Sequence, residues 1–88
     1  MNSKDLFAAA AKIEKAANQR AIWSQQTSDP TYCRLYSGVA QQLRDRAKQV
    51  RSWAANSAYL EGRGEVRERE RQVEIEAATR EFLAMAGE

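Results

Sequence analysis

Arg44, Lys48 and Arg51 stand four and then three residues apart within QQLRDRAKQVRSW. On a helix this spacing gathers three cations on one side, with Gln41 beside them and Arg34 farther round. A short basic ridge of this kind suits phosphate and other anion contacts. It reads as a solvated helix face, as a nucleic-acid contact, or as a contact to an acidic protein or an anionic small ligand such as a nucleotide. Charge alone does not choose among anions. The ridge lacks the interleaved aromatics of a single-strand stacking platform, and no short helix pair with a tight turn precedes it.

The residues for other chemistry are few. The chain has no histidine and one cysteine. That removes the commonest general base, the Ser-His and Cys-His arrangements, and the mixed Glu/His ligand sets of di-iron bundles. Cys33 has no second cysteine for an internal disulfide and no companions for a zinc site, so it reads as a small packing residue. GRG at 62–64 is too short for a phosphate loop. Glu70 and Glu74 stand one turn apart, but among arginines and without the many oxygens a hard cation needs. The expectation is a protein that is not an enzyme, with no catalytic residue, no cofactor and no metal.

Placing these residues requires the elements that carry them. Only four Gly and one Pro, with 30% charged and 43% apolar residues, favour soluble helices over a sandwich or a disordered tail. The spacing predicts helices near 3–27, 30–60 and 65–86 within one domain, 1–88. Ser3 is placed to cap the first, with Asp5 at the positive end of its dipole. Its apolar face is Leu6, Ala9, Ala10, Ile13, Ala16, Ala17 and Ala21, with Trp23 at the edge. Asp29 and Pro30 suit the cap and first position of the second helix. Its stripe is Tyr32, Leu35, Tyr36, Val39, Leu43, Val50, Trp53, Ala54 and Leu60, with Ala47 at the margin. That helix either overhangs its neighbours or bends near Asn56 and Ser57. Gly62 or Gly64 supplies the next break.

The third helix opens on a run of charge, with Glu65–Arg69, Glu68–Arg71 and Glu76–Arg80 spaced to pair. It carries two apolar stripes. Ile75, Ala78, Phe82 and Met85 form one, and Val66, Val73, Ala77 and Ala84 form the other on nearly the opposite side. Two stripes point to cover on both sides, one of them by another chain. Arg46 falls inside the apolar stripe of the second helix and Arg20 inside that of the first. Each must find a carboxylate, extend outward or meet a partner.

Charge is uneven along the chain. Residues 30–62 carry five basic groups against two acidic ones, and residues 63–88 carry five against seven, within a net charge of +2. The acidic segment can satisfy much of the basic one, unlike the one-sided excess of most nucleic-acid binders. Apolar runs such as Phe7 to Ala11 are too short to cross a membrane. The first residues lack the basic and then apolar regions of a secretory signal, so a reducing cytoplasm is expected.

The expected fold is therefore all-α, a small three-helix bundle with a long central helix, assembled as a homo-oligomer. The expected function is a non-enzymatic protein-interaction module, an adaptor or inhibitor that occupies a partner surface. Arg46, Val66, Val73 and Ala77 are its candidate interface. A nucleic-acid binder using Arg44, Lys48 and Arg51, or an oligomer that sequesters an anionic ligand such as a nucleotide, are the alternatives. Size and style are also those of small accessory proteins of phages and mobile elements, a comparison with no motif behind it.

Overall fold

A capping box sets the start of the first helix one residue before the cap expected from the sequence. The computed structural model describes residues 1–64 and 69–87. Their helices are α1 (Ser3–Gln26), α2 (Pro30–Gly62) and α3 (Arg69–Met85), and no strand occurs among the described residues. Asn2, rather than Ser3, caps α1. Its side chain accepts the Asp5 N–H at 2.9 Å, and the Asp5 carboxylate accepts the Asn2 N–H at 3.4 Å. Only Asn2 has an acidic residue three positions on, which lets both orphan donors be satisfied at once. Ser3 is freed to donate its backbone N–H and its hydroxyl to Glu61, at 3.0 and 2.6 Å.

Asp29 caps α2 as the sequence implies, accepting the Thr31 N–H at 2.9 Å with Pro30 at the helix start. The helix is not interrupted at Asn56 and Ser57: α2 is continuous over 33 residues. At a rise of 1.5 Å per residue that is about 50 Å, close to the 52 Å long dimension of the molecule. Burial of Ala54 and Ser57 outweighs the weak local propensity, and the Ser57 hydroxyl donates to Glu61 Oε1 at 3.4 Å. Gly64, at φ 73°, takes the left-handed conformation that turns the chain away.

α1 and α2 lie antiparallel, with Ser3 meeting Glu61 at one end and Ser24 meeting Cys33 at the other. The buried positions of α2 are Ala40, Leu43, Ala47, Val50, Ala54 and Ser57, alternating three and four residues apart. This is the spacing of a coiled-coil seam. They face Leu6, Ala9, Ala10, Ile13, Ala16 and Ala17 of α1. The alanines let the backbones approach, and Leu6, Ile13, Leu43 and Val50 fill the space between. Burying each of these four contributes about 1.5–3 kcal/mol.

α3 lies in the groove between the other two helices. Ile75 and Phe82 join the core, and the Phe82 ring stacks on Trp53 at 6.1 Å. The Met1 amino group donates to the Glu76 carboxylate, and Gly87 lies beside Arg20, where a Cβ would be 4.0 Å from Nη2. α3 therefore runs in the same direction as α1. Its 17 described residues are about 26 Å long at helical rise, so it covers one half of the α1–α2 pair. Among the described residues no helix is long and apolar enough to cross a membrane.

Candidate functional site

The groove that holds α3 continues beyond it. Tyr32, Val39, Arg46 and Trp53 recur at seven-residue intervals along α2, which places them on one line of the helix. Trp53 and Arg46 meet Phe82 of α3, the Arg46 guanidinium 5.1 Å from the ring centre. Val39 is half-buried and Tyr32 is 52% exposed, because α3 has ended. On α1 the matching line is Ala9, Ala16 and Trp23, the first two buried and the third open. The uncovered half of the groove thus runs between Trp23 on one side and Tyr32, Leu35 and Val39 on the other. Leu35 is 55% exposed.

Aromatic contacts hold this end. Trp23 meets Tyr36 edge to face at 5.6 Å, and Tyr32 stacks on Tyr36 at 6.1 Å. The Ser24 hydroxyl donates to the Cys33 carbonyl at 3.1 Å and lies 3.5 Å from its sulfur. Cys33 is a half-buried packing residue here. Arg20 lies over the Trp23 ring at 4.3 Å. Its hydrogen-bond partner among the described residues is Gln19, at 3.5 Å. Arg20 and Arg46 therefore both resolve their place in an apolar stripe by lying over an aromatic ring. Neither has an ion pair with a carboxylate among the described residues.

The basic ridge lies elsewhere, along the border of α2 with α1. Arg44, Lys48 and Arg51 are all exposed and line a small crevice with Glu14 and Ala47. Arg51 donates to the Glu14 carboxylate, whereas Arg44 and Lys48 form no ion pair among the described residues. The outward stripe of α3 is equally clear: Val73 is 59% exposed, and Ala77 and Ala84 are exposed. Val66, the Glu65–Arg69 and Glu68–Arg71 pairs, and the Glu70 carboxylate lie outside the described residues. Glu76–Arg80 forms at 3.8 Å, with Arg80 largely in solvent.

The structure corrects three positions assigned to apolar stripes. Tyr32 and Leu35 do not pack inside the bundle, and Met85 is 43% exposed at the end of α3. The inner stripe of α3 instead includes Thr79, fully buried, whose hydroxyl donates to the Ile75 carbonyl at 2.7 Å. That bond to the preceding turn lets a polar residue sit in the core. Compared with known proteins, the chain matches no family model, no curated protein and no solved structure.

Proposed function

We propose that this chain is a non-enzymatic interaction module, an adaptor or inhibitor, that receives a helix in the uncovered half of the α1–α2 groove. One observation carries the reading: the line of side chains that holds α3 runs on past it, with Trp23, Tyr32 and Leu35 left in solvent. Contiguous exposed aromatic and aliphatic side chains on a rigid scaffold are what interface centres are made of. A helix laid in a groove is one of the recurring recognition modes. The protein works in a reducing cytoplasm, where its single cysteine stays a thiol. It also self-associates, with Val73 and Ala77 of α3 in the contact.

The basic ridge supports its nucleic-acid alternative less strongly, because Glu14 already holds Arg51. Two of three cations make a thin phosphate footprint. The flat faces at the open end are also engaged, Tyr32 against Tyr36 and Trp23 beneath Arg20, which leaves little ring surface for stacked bases.

Selection from a displayed library of helical peptides tests the reading. Peptides that bind the wild-type protein and lose binding to Leu35→Glu are expected, because an uncompensated carboxylate in the groove opposes burial. A selection that yields no peptide sensitive to Leu35→Glu refutes the groove as a helix-binding site. Retention of a thymidine homopolymer at low salt, lost on neutralising Arg44 and Lys48, would favour the nucleic-acid alternative instead.

A further inference from the structure

We propose that the crevice beside the basic ridge binds the phosphomonoester group of a small molecule, independently of the groove described above. At 3.6 residues per turn, Arg44 is about 160° round α2 from Arg46. The crevice therefore opens away from the residues that meet Phe82. It is a recess of about 120 Å³ lined by Glu14, Arg44, Ala47, Lys48 and Arg51. Ala47 is buried and forms its floor. Residues 44 and 51 are about 10.5 Å apart by helical rise. Both line this one recess, so their long side chains converge above Ala47.

The first argument is charge. Three cations and one carboxylate give the recess a formal charge of three minus one, or +2. Arg44 and Lys48 form no ion pair among the described residues. The adjacent Asp45 carboxylate accepts from the Gln41 amide at 3.0 Å. A phosphomonoester carries about −1.5 to −2 at neutral pH, which matches the recess. A phosphodiester brings a single negative charge and leaves the recess half neutralised. Two unpaired cations are few for a chain of phosphates and sufficient for one monoester.

The second argument is that the recess already holds an oxyanion. The Glu14 carboxylate accepts from Arg51 within it. A guanidinium has five N–H donors, more than one carboxylate uses, so Arg51 keeps donors for a second oxyanion. Glu14 is thus a built-in competitor that lowers the charge available to a ligand.

The third argument is room beside the recess. Arg44 also lines a neighbouring shelf with Gln25, Ser37 and Gly38. A Cβ on Gly38 would meet nothing within 4 Å. The organic group of the ester would lie on this shelf, with Arg44 between it and the other two cations.

Titrations of the full chain at low salt, followed by backbone and arginine side-chain NMR shifts, test the proposal. Phenyl phosphate should give saturable shifts at residues 44–51 and at Glu14, and further shifts at Ser37 and Gly38. Dimethyl phosphate should bind at least about fivefold more weakly, because it brings half the charge. Arg44→Gln and Lys48→Gln should each weaken phenyl phosphate binding about tenfold, the usual effect of losing a contact to a charged group. Glu14→Gln should strengthen it at least about threefold, because a like charge leaves the recess. All three substituted side chains are at the surface, so circular dichroism should show helicity kept. Shifts that rise without saturation and are matched by chloride at equal ionic strength would overturn the site. So would dimethyl phosphate binding as tightly as phenyl phosphate, or Glu14→Gln failing to strengthen binding. Inorganic phosphate binding as tightly as phenyl phosphate, with Ser37 and Gly38 unmoved by either, would overturn the ester in favour of free phosphate. A phosphoserine peptide or a 5′-phosphorylated thymidine oligonucleotide binding more than about tenfold tighter than phenyl phosphate would overturn the small-molecule assignment.

Discussion

The two halves of the helical pair are built from one heptad register and differ in what fills it. In the half that α3 covers, the seam is alanine, leucine, isoleucine and valine, and Leu43, Ile13 and Val50 have no solvent exposure. In the open half those lines carry Arg20, Trp23 and Tyr36, with Tyr32 on the neighbouring line of Val39, Arg46 and Trp53, held by ring contacts and by the Ser24–Cys33 hydrogen bond. Small side chains allow close packing that lowers the free energy of folding, whereas large rings in solvent add surface without completing burial. Close packing therefore belongs to one half and the exposed rings to the other.

Substitution of matched leucines should expose that division most strongly. Leu43→Ala removes a fully buried side chain and should cost about 3 kcal/mol. Leu35→Ala, at a largely exposed position of the same helix, should stay within about 0.5 kcal/mol. Urea unfolding of the two variants beside wild type measures both, under conditions where the protein is monomeric. Equal losses would mean that the open half is as well packed as the covered one.

Smaller effects should follow at the boundaries. Ser24→Ala removes the hydrogen bond that joins the open ends of α1 and α2, and should cost about 1 kcal/mol. Arg46→Ala removes the cation over Phe82 where α3 ends, and should cost about 0.5 kcal/mol for an exposed contact of this kind. Near-ultraviolet circular dichroism, which reports Trp53 and Phe82 packing, should change for Arg46→Ala more than for Ser24→Ala. The reverse order would place the step between the halves elsewhere.

Much of the covered half is legible in the sequence, because buried apolar periodicity and caps are local signals. Leu6, Ile13, Leu43 and Val50 are read as core from spacing, and Asp29–Pro30 marks the start of α2 without reference to any other element. The errors have physical causes. Ser57 and Thr79 are buried because helix carboxylates or carbonyls accept their hydroxyl protons, which a count of apolar residues misses. Tyr32 and Leu35 obey the periodicity of a core and lack only a third helix to cover them. Spacing states which face is apolar, and chain length decides how far a neighbour reaches along it. The short break after α2 does hold a usable signal: α3 must begin at the C-terminal end of α2, so the uncovered end is the one that carries Tyr32. The basic ridge was visible as a pattern, but its link to Glu14 depends on how α1 and α2 align.

The two ends of the helical pair are also fastened by different chemistry, and acid should tell them apart. Ser24 donates to a backbone carbonyl, a contact with no titrating group, whereas Glu61 fastens the other end as a carboxylate. The Ser3 hydroxyl, and next the Ser3 backbone N–H, hold the Glu61 carboxyl below its ordinary value of 4.5; slight desolvation opposes them and the Ser57 hydroxyl adds least. A depressed value means that the unfolded chain takes up the proton more readily than the folded one. The contribution is therefore complete above 4.5 and is lost as pH falls through the lower folded value. Glu61→Gln keeps an oxygen acceptor and removes the titration. Between neutral pH and pH values below 4.5, wild type should lose slightly more thermal stability than Glu61→Gln, with the difference confined to that acid limb. Ser3→Ala should reduce the same difference by returning Glu61 toward its ordinary value, and Ser24→Ala should lower stability equally at every pH. Parallel curves for wild type and Glu61→Gln would show that the hydroxyl and N–H of Ser3 do not distinguish the charged carboxylate from the neutral one, and the covered end would then be fastened no differently from the open one.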